Sequence, residues 1–152
     1  MARVVLLDTG PLGLVTHPNA ATRNAQAAGW LRELATVGIG VRVPEISDYE
    51  LRRELLRLGK TRSIAVLDRY KTALGYLPIT TEAMLRAAAF WADVRREGKP
   101  TAPDLALDGD AILAGQAAAL STGGEDEVVI ATTNVGHLSR FVTAKLWQEI
   151  RP

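Results

Sequence analysis

Cysteine is absent from the 152 residues of the chain, and histidine occurs only twice. The lack of cysteine excludes disulfides, thiolate zinc sites and cysteine nucleophiles, and the histidines, His17 and His137, lack the spacing of zinc ligands. No apolar run approaches the length of a membrane-spanning helix, and the first residues lack the regions of a signal peptide. Glycine-rich phosphate loops are also missing. These absences predict a cytoplasmic protein that does not span a membrane.

Size and composition are ordinary for a globular domain. Hydrophobic residues make up 47% of the chain and charged residues 23%. A chain of this length can bury one sizeable core, and it contains no internal repeat or long linker. We therefore expect a single domain over residues 1–152.

The net charge of +1 gives no argument for nucleic-acid binding, but the charges are unevenly distributed. The segment from Arg52 to Lys71 holds seven basic and two acidic residues, whereas Thr101 to Pro152 holds seven acidic and three basic ones. This asymmetry fits a basic rim beside an acidic centre, and it equally fits two solvated helix faces.

Hydrophobic periodicity predicts strands that alternate with helices. The predicted strands are Arg3–Leu7, Ile39–Val43, Tyr76–Ile79, Glu127–Ala131 and Lys145–Ile150. The predicted helices are Thr22–Val37, Ser47 to Gly59, Arg62–Leu74, Glu82–Glu97, Asp108 to Leu120 and Leu138–Phe141. Such alternation is typical of an α/β fold with three layers (α/β/α) around a mostly parallel central sheet.

Local signals predict the caps and the buried faces of these elements. Asp8 begins a turn through Pro11, Ser47 and Glu50 form a capping box, and Thr81 caps the following helix. Gly98-Lys99-Pro100 is a loop. The inward-facing residues are predicted to be Leu51, Leu55 and Leu58 in one helix, and Leu85, Ala88 and Ala89 in another.

Oxygen-bearing side chains stand where ligands collect in open α/β sheets. Asp8 follows the first buried strand, Asn134 follows a later one, and Asp110 begins an alanine-rich helix. If the first and fourth strands are neighbours, these positions share one edge of the sheet. Convergent carboxylates with no surrounding cage are typical of a site for Mg²⁺ or another hard divalent cation.

Each of these residues also has a purely structural explanation. Asp8 and Asn134 suit turns, Glu50 suits the capping box, and Asp110 suits the positive end of a helix. Spacing alone does not separate Glu50 from Glu54, nor Asp110 from Asp108. The joint occurrence of the set is what favours a site.

Four segments, in their order and spacing, resemble the PIN-domain ribonucleases, of the kind found as VapC-type toxins of toxin–antitoxin pairs. These segments are Val4-Val5-Leu6-Leu7-Asp8-Thr9, Val43-Pro44-Glu45-Ile46-Ser47-Asp48-Tyr49-Glu50, Asp110-Ala111-Ile112-Leu113-Ala114 and Ile130-Ala131-Thr132-Thr133-Asn134. The resemblance implies a PIN-like fold in which Asp8, Glu50 and Asp110 are the metal-binding acids. It favours Glu50 over Glu54, and Asp110 over Asp108. The family's last position is often Asp but is Asn134 here, which puts a second metal ion in doubt.

The activity implied by this resemblance is metal-dependent hydrolysis of RNA with Mg²⁺ or Mn²⁺. Thr132 and Asn134 would then position the attacking water or the scissile phosphate. Basic side chains must offset the repulsion between acids and phosphates, and the candidates for this role are Arg52, Arg53 and Arg57. The resemblance also implies a small antitoxin partner and a homodimer.

Other functions remain as alternatives. A stand-alone RNA-processing nuclease, or a non-catalytic PIN-fold module that binds RNA or protein, would show the same motifs. A phosphatase of the haloacid-dehalogenase type needs a second Asp two positions after Asp8, where Gly10 stands. A receiver domain needs an acceptor Asp after its third strand and a late Lys, and neither is present.

Overall fold

The computed structural model describes residues 3–19, 21–97, 104–124, 127–136 and 138–152. The predicted loop Gly98-Lys99-Pro100 and the histidine His137 lie outside these ranges. Within them, no helix combines the length and the apolar composition that crossing a membrane requires.

Strands and helices alternate as the sequence predicts. The strands are β1 (Arg3–Leu7), β2 (Gly40–Pro44), β3 (Tyr76–Leu77), β4 (Glu127–Thr132) and β5 (Ala144–Leu146). The helices are α1 (Thr9–Thr16), α2 (Thr22–Thr36), α3 (Glu45–Arg57), α4 (Thr61–Leu74), α5 (Thr81–Arg96) and α6 (Asp104–Gly123), with 3₁₀ turns at Leu138–Arg140 and Trp147–Glu149. The second 3₁₀ turn replaces the latter half of the last predicted strand.

Within the described residues, the five strands form one parallel sheet in the order β3-β2-β1-β4-β5. The central strand β1 has β2 on one side and β4 on the other, so the chain reverses its direction of travel across the sheet at β1. Leu7 lies in register with Ala131, and the backbone N–H of Asp8 donates to the Ala131 carbonyl at 2.9 Å. The carboxyl ends of β1 and β4 therefore meet at a topological switch point, where such sheets bind ligands.

Alternate residues of β1 face two separate apolar cores. Val5 and Leu7 pack with α1, α2 and α4, whereas Val4 and Leu6 pack with α6 and the start of α3. A strand that is apolar on both faces needs a helical layer on each side of the sheet. The structure thus confirms the predicted three-layer α/β/α architecture.

The predicted turn from Asp8 to Pro11 is wrong, because α1 begins at Thr9. Asp8 is its N-cap, and Asp8 Oδ1 accepts a hydrogen bond from the Thr9 N–H at 2.7 Å. Pro11 is tolerated at the third helical position, since N–H groups in the first turn have no partner within a helix.

The predicted capping box at Ser47 and Glu50 is also wrong. Helix α3 begins at Glu45, directly after Pro44, and Ser47 is buried inside the first turn. Leu51 and Leu55 pack against the core as predicted, but Leu58 is 52% exposed. Glu50 is therefore free of any capping role and lies in the second turn of α3.

Helices α5 and α6 differ from the prediction in their faces and starts. In α5 the N-cap is Thr80, not Thr81, and the buried residues are Ala83, Ala87 and Val94. The predicted inward face is exposed at all three of its positions, which are Leu85, Ala88 and Ala89. Helix α6 begins at Asp104, so Asp108 does not cap it, and Asp110 lies in the second turn instead of the first.

Candidate active site

Asp8 is fixed at the sheet edge by two hydrogen bonds to its carboxylate. Asp8 Oδ1 accepts from the Thr9 N–H at 2.7 Å, and Asp8 Oδ2 accepts from Thr132 Oγ1 at 2.8 Å. Burial raises the pKa of Asp8 above its usual value, and the bonds from Thr132 and Thr9 only partly offset this rise. The Asp8 carboxylate is thus fixed in orientation, and its surroundings disfavour the ionised form.

Thr132 ends β4 and is almost fully buried, at 1% exposure. Its hydroxyl oxygen accepts from the Asn134 N–H at 3.1 Å, and its O–H is within donating distance of Asp8 Oδ2, at 2.8 Å, and of the Asn134 carbonyl, at 3.0 Å. The Asn134 side chain turns to its own loop, where Oδ1 accepts from the Gly136 N–H at 3.1 Å. Thr132 therefore contacts Asp8 directly, whereas Asn134 forms hydrogen bonds with Thr132 and Gly136.

Glu50 projects from α3 toward the N-terminus of α1. Glu50 Oε1 accepts from Thr9 Oγ1 at 3.0 Å. Burial raises the pKa of Glu50, and the negative charge of Asp8 adds to the rise, while Thr9 and Arg53 act in the opposite direction. Asp8 and Glu50 are therefore close enough to repel each other.

Asp110 brings a third carboxylate from α6. Its pKa is raised to about 6 by burial first, and then by the charges of Asp8 and Glu50. Three acids from widely separated parts of the chain thus share one electrostatic environment. They line a cleft of about 400 Å³, here called the acidic cleft, together with four other residues: Thr9, Leu51, Arg53 and Glu54.

The donor set of the acidic cleft fits a hard divalent cation. Carboxylate oxygens are the ligands that Mg²⁺ prefers. Burial is the main cause of the raised pKa of Asp110, and a positive ion would offset the repulsion from Asp8 and Glu50 that adds to it. Within the described ranges, no three Asp, Glu or His side chains are arranged to hold an ion as they stand. Mg²⁺ usually keeps several of its waters, so these carboxylates would hold it partly through water molecules.

The two rival acids have different surroundings. Glu54 lines the acidic cleft but is about half exposed and pairs with Arg57 on the same helix. Asp108 is exposed and lines a separate, mostly apolar groove between α5 and α6. Both rivals are exposed, whereas Asp8, Glu50 and Asp110 are partly buried.

Only one of the three predicted phosphate-binding arginines lines the acidic cleft. Arg52 pairs with Asp48 at 2.9 Å and with Asp68 at 2.7 Å, and Arg57 pairs with Glu54. Arg53 lines the acidic cleft, and its guanidinium lies 5.1 Å from the centre of the Tyr49 ring. Arg53 is therefore the arginine best placed to meet a phosphate there.

Sequence reasoning assigned no role to two residues of this region. Thr9 was part of a matching motif, and its position beside Asp8 was the available signal. Gly109 packs against the Glu50 carboxylate, a contact between helices that no local pattern could indicate. The histidine His17 instead accepts a hydrogen bond from the Asn19 N–H at the far end of α1.

Three solved VapBC structures share this fold. A chain of VapBC2 from Rickettsia felis, bound to a DNA fragment from their promoter, superposes with a TM-score of 0.73 at 14% identity, over 95% of this chain and 98% of that one. DNA-bound VapBC from Salmonella typhimurium superposes with a TM-score of 0.70 at 21% identity, over 97% of this chain and 99% of that one. VapBC-1 from nontypeable Haemophilus influenzae superposes with a TM-score of 0.67 at 16% identity, over 96% of this chain and 99% of that one.

Sequence comparison adds nothing to this likeness, because no family model and no curated protein matches the chain. The structural similarity nevertheless covers nearly the whole chain in each case. The resemblance to the VapC-type PIN domain is thus confirmed in the fold, which this chain shares with chains of VapBC complexes.

Proposed function

We propose that this protein is a metal-dependent endoribonuclease whose active site is the acidic cleft. The observation that carries the proposal is the meeting of Asp8, Glu50 and Asp110 at the switch point of the sheet, each with a raised pKa. Perturbed carboxylates that converge in a cleft are typical of catalytic and metal-binding sites.

The chain's own residues define the roles in this proposal. Asp8, Glu50 and Asp110 would hold Mg²⁺ or Mn²⁺, which supplies Lewis acidity and lowers the pKa of a bound water. Thr132 keeps Asp8 oriented through its hydroxyl, and Thr9 does the same for Glu50. Arg53, at the wall of the acidic cleft, offsets the repulsion between the acids and the RNA phosphates.

Cleavage of RNA by Asp110→Asn tests the proposal. Wild type should cleave RNA with Mn²⁺ or Mg²⁺ and lose this activity in EDTA, whereas Asp110→Asn should stay inactive in both. Asp108→Asn is the matched control, because Asp108 lies on the same helix but outside the acidic cleft. Cleavage by Asp110→Asn at the wild-type rate would contradict the proposal.

A small antitoxin is the partner we propose. Its support is the fold, which is shared with chains crystallised as VapBC complexes, two of them on DNA. Co-expression with the product of a neighbouring short reading frame should yield a stable complex that inhibits cleavage. Without such a product, a stand-alone RNA-processing nuclease becomes the better description.

A non-catalytic binding module is the second candidate function. The observation that favours it is Asn134, which is uncharged and whose Oδ1 accepts from Gly136. Such a module would bind RNA with unchanged affinity in Asp8→Ala and would cleave nothing in the presence of Mn²⁺. Ion-dependent cleavage that Asp8→Ala abolishes would exclude it.

We also propose a homodimer. Its support is the set of exposed apolar side chains on α5: Met84, Leu85 and Trp91 are 44%, 68% and 37% exposed, and Met84 and Trp91 line one mostly apolar groove. Apolar side chains grouped on a surface often mark a protein contact. Light scattering should give twice the chain mass for wild type and the monomer mass for Leu85→Glu, and a monomeric wild type would refute the dimer.

A further inference from the structure

Gly109 lies on α6, directly before Asp110, and its missing side chain leaves room for the Glu50 carboxylate. A Cβ atom added at Gly109 would stand 2.4 Å from Glu50 Oε2 and 3.1 Å from Glu50 Cδ. The first distance is too short for two atoms that are not bonded to each other, and the second is tighter than most Cβ contacts in proteins. The Glu50 carboxylate thus occupies the space that any other residue at this position would fill.

The other oxygen of the same carboxylate is held from the opposite side. Glu50 Oε1 accepts from Thr9 Oγ1 at 3.0 Å, at the start of α1. The carboxylate is therefore enclosed between the first turn of α1 and the backbone of α6, and this places it beside Asp8 and Asp110.

We propose that Gly109 is a positioning residue for the metal-binding acids, because only glycine lets Glu50 reach the backbone of α6 next to Asp110. This inference rests on the proposed function of the acidic cleft. Its consequence is that a single methyl group at position 109 should displace Glu50 and weaken ion binding without harming the fold.

Comparison with a second glycine of α6 shows why Gly109→Ala should displace Glu50 and not disturb the helix packing. A Cβ at Gly115 would stand 2.2 Å from the Ala83 carbonyl oxygen, which belongs to the rigid backbone of α5. The three atoms nearest to a Cβ at Gly109 all belong to the end of the flexible Glu50 side chain, which can rotate away. Glycine is also a poor helix former, so alanine at 109 should favour the helix itself.

The first measurement compares Gly109→Ala with wild type in thermal unfolding and in calorimetric Mn²⁺ titration. Unfolding in EDTA should occur at the same or a higher temperature, while Mn²⁺ affinity and RNA cleavage should fall by about 10- to 100-fold. Gly29→Ala is the matched control, because it makes the same change inside a helix with only the Arg32 side chain nearby, at 3.8 Å.

Rescue by a shorter acid separates positioning from a general structural effect. Glu50→Asp withdraws the carboxylate by one methylene and makes room for the new methyl group. The double variant Gly109→Ala with Glu50→Asp should therefore bind Mn²⁺ more tightly than Gly109→Ala alone. The proposal would be overturned if the losses of Mn²⁺ affinity in the two single variants simply added in the double variant. Binding of Mn²⁺ by Gly109→Ala with wild-type affinity would overturn it as well.

A crystal structure of metal-free Gly109→Ala keeps the test independent of catalysis. The Glu50 carboxylate should have left Thr9 Oγ1, and an unchanged Thr9–Glu50 hydrogen bond would overturn the inference whether or not the protein binds Mn²⁺. If only the proposed function is wrong, the wild type should cleave no RNA, while Glu50 should still move in Gly109→Ala.

Discussion

Asp110 is the carboxyl group through which pH should act on the acidic cleft. Its pKa rises from 3.8 to about 6 on folding, so the folded protein binds its proton more tightly than the unfolded chain. Stability from this group is therefore full below about pH 4 and is lost as pH rises through about 6. In EDTA, the difference in unfolding temperature between wild type and Asp110→Asn should therefore change to the disadvantage of wild type as the pH rises from about 4 to about 6. A difference that stays constant across this window would contradict the assignment.

Thr132→Val tests whether the Thr132 hydroxyl positions the Asp8 carboxylate. The Thr132 hydroxyl lowers the pKa of Asp8, so its removal should raise the Asp8 pKa further and weaken cleavage by about 10- to 100-fold. Carboxyl NMR titration and cleavage assays measure the two effects.

The control for this substitution is Thr16→Val. Thr16 is equally buried, and its hydroxyl donates to the Leu12 carbonyl at 2.9 Å, away from the acidic cleft. Loss of cleavage in both variants to the same degree would mean that Thr132 acts through packing and not through Asp8.

Single residues of the site were readable from the sequence where the signal was local. Asp8 stands at the end of an apolar strand, so its place at the sheet edge follows from chain direction alone. Glu50 and Glu54 both flank the apolar stripe of α3, and helical spacing could not choose between them. The roles of Thr9 and Gly109 depend on contacts with Glu50 across more than 40 residues of chain, which no single segment encodes.

At the scale of elements, the errors have a common physical cause, which is tertiary packing that overrides local preference. Helix α5 buries Ala83 and Ala87 and exposes Leu85 because it packs very closely against α6 at Gly115. A close contact between helices requires small side chains, whereas a prediction from hydrophobic periodicity places the large apolar residues in the core. Tertiary contacts also explain why the start of α3 was predicted wrongly. The helix begins at Glu45, whose Oε1 accepts from the Ile79 N–H at 2.7 Å.

Gly115→Ala tests this account of the helix contact. The added methyl would meet the Ala83 carbonyl oxygen at 2.2 Å, so α5 and α6 must separate, at a cost of about 1–3 kcal/mol for overpacking. Denaturant unfolding should show this loss, while Gly29→Ala should be neutral or stabilising by up to about 1 kcal/mol. Equal stability of the two variants would mean that the helices have room to spare.

At the scale of the whole molecule, the sequence predicted the layers but not the order of the strands. The alternation of helices and strands indicated a covered parallel sheet, and the apolar runs in β1 and β4 indicated burial on both faces. That β1 lies between β2 and β4 follows from long-range pairing. This pairing brings Asp8 to Thr132 and allows α3 and α6 to approach the same edge, so the site depends on topology as well as on motifs.

The charge distribution of the molecule leads to a last prediction, on RNA binding. Of the arginines in the basic segment of α3, Arg53 lines the acidic cleft, whereas Arg52 and Arg57 are held in ion pairs. Arg53→Gln should therefore weaken RNA binding and reduce the slope of log affinity against log salt by about 0.7 for one lost phosphate contact on a single strand. Fluorescence anisotropy in EDTA, where no cleavage occurs, measures both. Arg23→Gln removes an exposed charge of α2 outside the acidic cleft and should leave the slope nearly unchanged. Identical salt dependence in wild type and Arg53→Gln would show that the phosphates bind elsewhere on the surface.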